Sequence, residues 1–165
     1  MGEQIEGIDE IDLKILSFLQ DDGRMTFKEI AARIGVAERT VRLRVTNLRE
    51  TGVLSIVGVV NPIKVGLKLI AAIQIATEHN KLEECIEELT EMDEVRFITL
   101  TSGEYQILSE VCVSSHEELG DFLEKKLSKI TGIQRTNIIM ELKILKNKFN
   151  FIRKEKEVEQ RQNFS

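Results

Sequence analysis

Residues 26–51 read TFKEIAARIGVAERTVRLRVTNLRET, and their spacing predicts two short helices joined by a tight turn. Thr26 followed by Glu29 is a capping box, in which the hydroxyl accepts from the Glu29 N–H and the carboxylate accepts from the Thr26 N–H. Ile30, Ala31 and Ile34 then form an apolar stripe at helical period. Gly35 stands where the first helix must end in a left-handed residue, a conformation that strains any side chain. A second helix follows from about Ala37, with Val41, Val45 and Leu48 inward and Gly52 past its end. Two helices crossing steeply need a small residue at their closest approach, a glycine in the turn and a branched apolar residue plugging back. Ala31, Gly35 and Val41 supply these in order, which predicts a helix-turn-helix.

The outward face of the second helix would then carry Arg39, Arg42, Leu43 and Thr46, with Arg44 to one side. Arginine pairs with phosphates or with guanine edges, Leu43 suits a thymine methyl, and Thr40 and Thr46 can position backbone or bases. Double-stranded DNA is therefore the expected partner, with Arg39, Arg42 and Arg44 dominating affinity. Charge is distributed to match. Residues 24–50 carry seven Lys/Arg against three acids, +4 within a chain of −5, so the remainder is −9. That asymmetry concentrates attraction for phosphate on one module.

Outward from this stretch, Asp9 caps an earlier helix with Glu10 and Asp12 in its first turn, where carboxylates favour the positive helix end. Leu13, Ile15, Leu16 and Leu19 cover a wide arc, so residues 9–20 should pack under the hairpin as a structural helix without DNA contact. Residues 1–52 thus form a helix-turn-helix, winged-helix-like domain. Val53 to Val60, VLSIVGVV, is a β-branched run read as a connecting strand, and Asn61-Pro62 and Gly66 complete a linker over 53–66.

Beyond it, residues 67–147 read as strand 68–77, helix 81–92, strand 95–101, strand 105–113, helix 116–129 and strand 134–146. The order is βαββαβ. Leu82, Cys85, Ile86 and Leu89 mark one helix, and Leu119, Phe122, Leu123 and Leu127 the other, with Ser115 and Glu118 as a second capping box. Both helices should cover one face of a four-stranded sheet. In the first strand Leu69, Ala71, Ile73 and Ile75 point one way, yet Ile70, Ala72 and Ala76 are apolar on the other. Soluble monomers rarely expose such a face, so a homodimer is expected, which also supplies two reading helices. Cys85 and Cys112 are too few and too far apart for a metal motif and are expected to be buried packing residues. No metal site and no cofactor is expected. With no signal-peptide pattern and no apolar run of about 18 residues, a cytoplasmic location without membrane association is expected.

This α+β arrangement resembles the Lrp/AsnC, or feast/famine, transcription regulators. The resemblance rests on Asp9, Asp12, Ile15, Leu16, Leu19 and Gln20, on the hairpin, on Asn61-Pro62-Ile63-Lys64-Val65-Gly66, on Thr101-Ser102-Gly103-Glu104-Tyr105 and on Gly132-Ile133-Gln134-Arg135-Thr136. It implies a helix-turn-helix domain joined to a ferredoxin-like (RAM-type) domain that dimerises through its sheet and assembles further, to tetramers or octamers. It also implies a small-molecule, amino-acid-like effector between dimers, near Thr101, Gly103, Glu104, Tyr105, Gln106, Thr136 and Ile138.

The chain departs from the family pattern at several positions. An aspartate commonly follows the loop aromatic, and here it is Gln106; a hydroxyl residue is usual where Ile138 stands. Losing one charge-assisted bond to an effector's ammonium costs about 1.5–3 kcal/mol. Ala37 replaces a serine cap, the linker is one residue shorter, and residues 148–165 extend past the pattern. That extension is expected to be disordered past Lys154, with Phe149, Phe151 and Ile152 as apolar anchors for a neighbour. Two other readings suit the same architecture. Proteins of this architecture include siroheme-type tetrapyrrole decarboxylases, which gather His and Arg; here His79 and His116 stand apart from any such cluster, there is no nucleophile–base pair, and no catalytic residue is expected. An effector-independent architectural DNA-binding protein would differ from a regulator only in sequence preference.

Overall fold

A computed structural model of the chain describes residues 7–147 and 150–152. The chain divides into two compact units, residues 1–58 together with 146–165, and residues 59–145. The break falls inside the expected linker, and the described residues 146, 147 and 150–152 belong with the first unit.

The first unit contains α1 (Glu10–Asp21), α2 (Phe27–Ile34) and α3 (Glu38–Glu50). Both expected start signals form. The Asp12 N–H donates to Asp9 Oδ1 at 3.0 Å and the Asp9 N–H to Asp12 Oδ2 at 3.2 Å. Thr26 and Glu29 exchange the same pair of bonds at 3.2 and 2.9 Å. Gly35 ends α2 at φ 75°, ψ 34°, the left-handed conformation the turn requires, and donates to the Ala31 carbonyl. Ile15, Leu16, Leu19, Ile30, Ala31, Val41, Val45 and Leu48 form one core, with Phe18, Phe27, Ile34 and Leu54 packed around it. No strand hairpin accompanies the three helices among the described residues of this unit.

The expected strand over Val53–Val60 forms no ladder. Leu54 turns back, its N–H donating to the Leu48 carbonyl while its side chain joins the helical core. Ile56, Val57, Val59 and Val60 remain exposed. β-branched residues favour extended backbone, but a strand also needs a neighbour, and among the described residues none runs beside this one.

The second unit contains β1 (Leu69–Thr77), α4 (Leu82–Thr90), β2 (Val95–Leu100), β3 (Ile107–Val113), α5 (His116–Asp121) and β4 (Ile133–Met140). The sheet is antiparallel in the order β2-β3-β1-β4. Ala71, Ile73 and Ile75 of β1, with Ile107, Val111 and Val113 of β3, pack against Cys85, Leu89, Leu119, Phe122, Leu127 and Ile130 from the helical side. Cys112 lies on the opposite face of β3 and is also buried. Among the described residues, no helix is long and apolar enough to cross a membrane.

Three details differ from the periodicity reading, each for a local reason. The second helix leaves α-geometry after Asp121, passing through a π turn (Phe122–Lys126) and a 3-10 turn (Leu127–Lys129). Phe122 and Leu127 are five residues apart and both buried; the Leu127 N–H bonds the Phe122 carbonyl, the i→i+5 closure that puts them on one face. β4 stops at Met140 rather than near Lys146, because the Glu141 N–H bonds the Ile70 carbonyl and β1 then begins only at Leu69. Ser115 accepts from the Glu118 N–H at 3.1 Å, but the Glu118 carboxylate reaches one residue further back and takes the Ser114 N–H at 2.7 Å.

Gly132 enters β4 at φ +94°, and a Cβ built there would lie 2.4 Å from Lys81 Cβ. Its carbonyl accepts from the Glu78 N–H at 2.8 Å, so the backbone cannot simply move away. Gly132→Ala combines a left-handed penalty of about 1–2 kcal/mol with this clash. The second unit of that variant is expected to melt at lower temperature by at least that margin in denaturant titration, while melting of the first unit stays put.

Candidate DNA-reading and effector sites

α3 is fixed in rotation by what it buries. Val41 is fully excluded from solvent, and Val45 and Leu48 are each only 2% exposed. The opposite face must therefore present Arg39, Arg42, Leu43 and Thr46, all exposed, with Leu43 at 71%. A large aliphatic side chain held in water between arginines has no packing role inside this unit. Ala37 caps the helix with extended backbone and no side-chain bond, so the Glu38 end lacks the usual oxygen acceptor. Asn47 and Arg49, which the sequence reading did not single out, are exposed on the same helix.

The arginines are not equivalent. Arg39 has no acidic partner among the described residues. Arg42 pairs with Glu38 at 2.7 Å one turn back, and its guanidinium stacks over the Phe27 ring at 5.3 Å. Arg44 turns the other way, pairing with Asp9 at 2.6 Å and Asp12 at 3.1 Å on α1. Its side chain is 28% exposed and that of Asp12 only 10%. The Asp9 bond, then the Asp12 bond, holds the guanidinium more firmly protonated than usual. Asp9 in turn is lowered from 3.8, first by the Asp12 N–H it accepts and then by Arg44. Thr40 is half-buried one turn before Arg44 on the same flank. Arg39, Arg42, Leu43 and Thr46 thus share one exposed face, and Arg44 stands apart from it as a brace between α3 and α1. The acidic first turn of α1, read only as a dipole partner, was the signal for this brace.

The loop between β2 and β3 is closed on itself. The Thr101 N–H donates to the Gln106 carbonyl at 2.9 Å, its hydroxyl donates to the Tyr105 carbonyl at 2.6 Å, and Gly103 takes φ +113° at the tip. Arg135 of β4 pairs with Glu104 and lies over the Tyr105 ring at 5.6 Å. Glu104 is the first cause holding the Arg135 guanidinium more firmly protonated. The structure therefore brings Glu104 and Tyr105 together with Arg135, which family resemblance had not put among the candidate site residues. Gln106 is engaged differently: its Oε1 accepts from the Thr77 N–H at 3.0 Å, completing the end of β1. Thr136 and Ile138 are exposed on β4, opposite Ile75 and Ile73 in register and on the other face from Arg135. They do not converge on the loop through any side-chain hydrogen bond or ion pair among the described residues.

Family models match both parts of the chain. Residues 8–49 match the AsnC-type helix-turn-helix domain, and residues 70–151 match the Lrp/AsnC ligand-binding domain. The chain belongs to the Lrp/AsnC family of transcription regulators. This Lrp/AsnC chain is 42% identical over 130 residues to an uncharacterized HTH-type transcriptional regulator of Pyrococcus furiosus, covering 78% of the chain and 88% of the relative. The AsnC protein of E. coli superposes with a TM-score of 0.80 at 26% identity, covering 86% of this chain and 96% of that one. A regulator from Neisseria meningitidis, solved as a complex with L-Met, has the same fold, with a TM-score of 0.80 at 23% identity over 86% and 94% of the two chains.

The brace makes a pH prediction for this Lrp/AsnC chain. Asp9 has a folded pKa below its unfolded one, so its contribution is complete above the unfolded value and is lost as pH falls through the folded value. Melting of the helical unit is expected to fall on acidification below about pH 4, and Asp9→Asn should flatten that acid limb. Arg44→Ala should cost roughly 1 kcal/mol near neutral pH after discounting for solvent screening, read by thermal melting.

Proposed function

We propose that the chain recognises duplex DNA through the exposed face of α3, with Arg39 and Arg42 on phosphates or guanine edges, Leu43 against a thymine methyl, and Thr46 positioning the helix. Thr40 lies at the margin of that face. Arg44 serves by holding α3 against α1, so its contribution to affinity is indirect. The observation that carries this reading is Leu43, exposed between arginines on a helix whose other face is fully buried. The unit works as a homodimer, which gives two reading helices, and dimers assemble further to tetramers or octamers. Support comes from apolar residues left open on the sheet face away from the helices and on the linker, including Phe97, Ile139, Val57, Val59 and Val60. The protein acts in the cytoplasm on chromosomal DNA.

Catalysis is not favoured. His79 follows the end of β1 that pairs with Ile107, whereas His116 follows the end of β3 that pairs with Leu69, so the two histidines stand at opposite ends of the sheet. A tetrapyrrole's carboxylates would meet no cluster of His and Arg there. The reading is tested by salt dependence. Each phosphate contact contributes about 0.9 to the slope of log affinity against log salt. Arg39→Ala is expected to weaken binding and lower the slope by about that amount, while Arg44→Ala should leave the slope unchanged. Equal changes in both variants would move the reading face elsewhere.

An effector reading rests on the Glu104–Tyr105–Arg135 group. A carboxylate, an aromatic face and a guanidinium beside one glycine turn suit a small amino-acid-like molecule: Arg135 takes a carboxylate, and Glu104, once released, takes an ammonium. The Neisseria protein of the same fold holds L-Met, which fits this class. Because Gln106 is committed to Thr77, it replaces no charge in this group. A ligand at a hundred times its dissociation constant adds about 2.7 kcal/mol of stability. A thermal-shift screen against the twenty amino acids should therefore find one or more that raise melting, and the shift should vanish in Glu104→Ala and Arg135→Ala. A shift that survives both substitutions places the effector elsewhere.

A further inference from the structure

Beyond β4 the chain loses its ladder and returns to the first unit. Past the Glu141 bond to Ile70, residues 142–145 pair with no strand among the described residues, and Leu142 and Leu145 are exposed. Further on, Asn150 and Ile152 are engaged. The Gln20 carboxamide, at the end of α1, accepts from the Ile152 N–H at 3.0 Å and donates to the Ile152 carbonyl at 2.6 Å. Asn150 Nδ2 donates to Asp21 Oδ1 at 2.9 Å. The Ile152 side chain packs against the helical core, while Phe151 between them is 85% exposed. Contacts at 150 and 152 with 151 outward follow the alternation of extended chain.

A primary carboxamide both donates and accepts, so one Gln can bond the N–H and C=O of a single residue as a neighbouring strand would. Gln20 is used in this way, and the apolar contact of Ile152 adds to it. We propose that Asn150–Ile152 is a clip and that Gln20 and Asp21 form its docking surface, making a second tether between the effector unit and the DNA-reading unit of the same chain. The first tether is the linker around residues 53–66, whose valines are exposed and whose Gly58 has open space where a Cβ would stand. A single connection of that kind lets the reading unit reorient. The clip adds a limit, because nine residue steps from Glu141 to Asn150 reach at most about 30 Å. β4, which carries Arg135 at one end, leads directly into this strap at the other.

The test uses the full chain. Hydrogen exchange should find the Ile152 amide slowed about fivefold relative to an unstructured peptide, as a bond of ordinary net strength implies. Gln20→Ala and Ile152→Asp should each abolish that protection; the second change leaves α1 untouched and guards against a folding defect in the first. Small-angle scattering should show a larger maximum dimension in both variants. An Ile152 amide that exchanges at the peptide rate, or protection indifferent to both substitutions, overturns the clip. Released protection with unchanged scattering overturns its role as a tether. Protection that disappears when the assembly is diluted to monomers places the segment on a partner's helix and overturns the within-chain tether.

Discussion

The DNA-reading half of the molecule depends on the mutual burial of Ile15, Ile30 and Val41, one from each of its three helices and each fully excluded from solvent. A unit of this size has little apolar area to spare, so the three contacts fix the helices against each other. With Val41, Val45 and Leu48 committed inward, the azimuth of α3 is no longer free, and Arg39, Arg42, Leu43 and Thr46 point outward as a consequence. The brace from Arg44 to Asp9 and Asp12 acts on the same degree of freedom from the side. It ties the middle of α3 to the capping box of α1, so the bonds that start one helix also hold another.

The sheet is ordered by a similar constraint acting across two faces. Ile73 and Ile75 are buried against α4 and α5, and Ile107 and Val111 lie beside them on β3. The other face keeps Ile70, Ala72 and Ala76 on β1, with Ile139 on β4 and Phe97 on β2 still open. One face is closed by the chain's own helices. The other has Phe97 and Ile139 exposed and is crossed by the Arg96–Glu110 ion pair, which joins β2 to β3 without closing the surface. A face of this composition supports the homodimer proposed above.

Local signals were the legible ones. Thr26/Glu29, Asp9/Asp12 and Gly35 each act within one turn, and each forms as the residues indicate. The βαββαβ order was equally readable, because its apolar periods switch between two and 3.6 residues at recognisable turns. Readings that needed a distant partner fared differently. Val53–Val60 has strand composition but no neighbour, and β4 ends where β1 runs out of backbone to pair. Arg44 was set to one side of the outward face yet given the same role as Arg39 and Arg42; only the position of α1 gives it partners of its own. Gln106 reads as a lost carboxylate in sequence, and the bond to the Thr77 N–H gives it a structural role that no spacing reveals. The expectation of disorder past Lys154, and Phe149 as an anchor, lie outside the described residues.

Arg135, one member of the group proposed to take an effector, and the proposed clip lie on one continuous piece of chain. Arg135 sits near the start of β4, paired with Glu104, and β4 continues through Met140 to the strap that ends on Gln20. A ligand carboxylate that draws Arg135 from Glu104 changes a charge pair at one end of this strand. The strand itself is held to β1 by a ladder from Ala71 to Thr77, with an irregularity at Ala76/Thr77, beside Arg135. Thr77 is also where Gln106 fastens the loop. The loop, the irregular end of the ladder and the charge pair therefore share one corner of the sheet, and a rearrangement there acts on the same strand that carries the clip. Coupling of this kind needs two discrete arrangements of a connected element rather than a gradual distortion. On the proposed effector reading, Arg135 paired with Glu104 and Arg135 paired with a ligand would be two such arrangements, and β4 with the segment after it is the length of chain that joins that corner to the clip on α1.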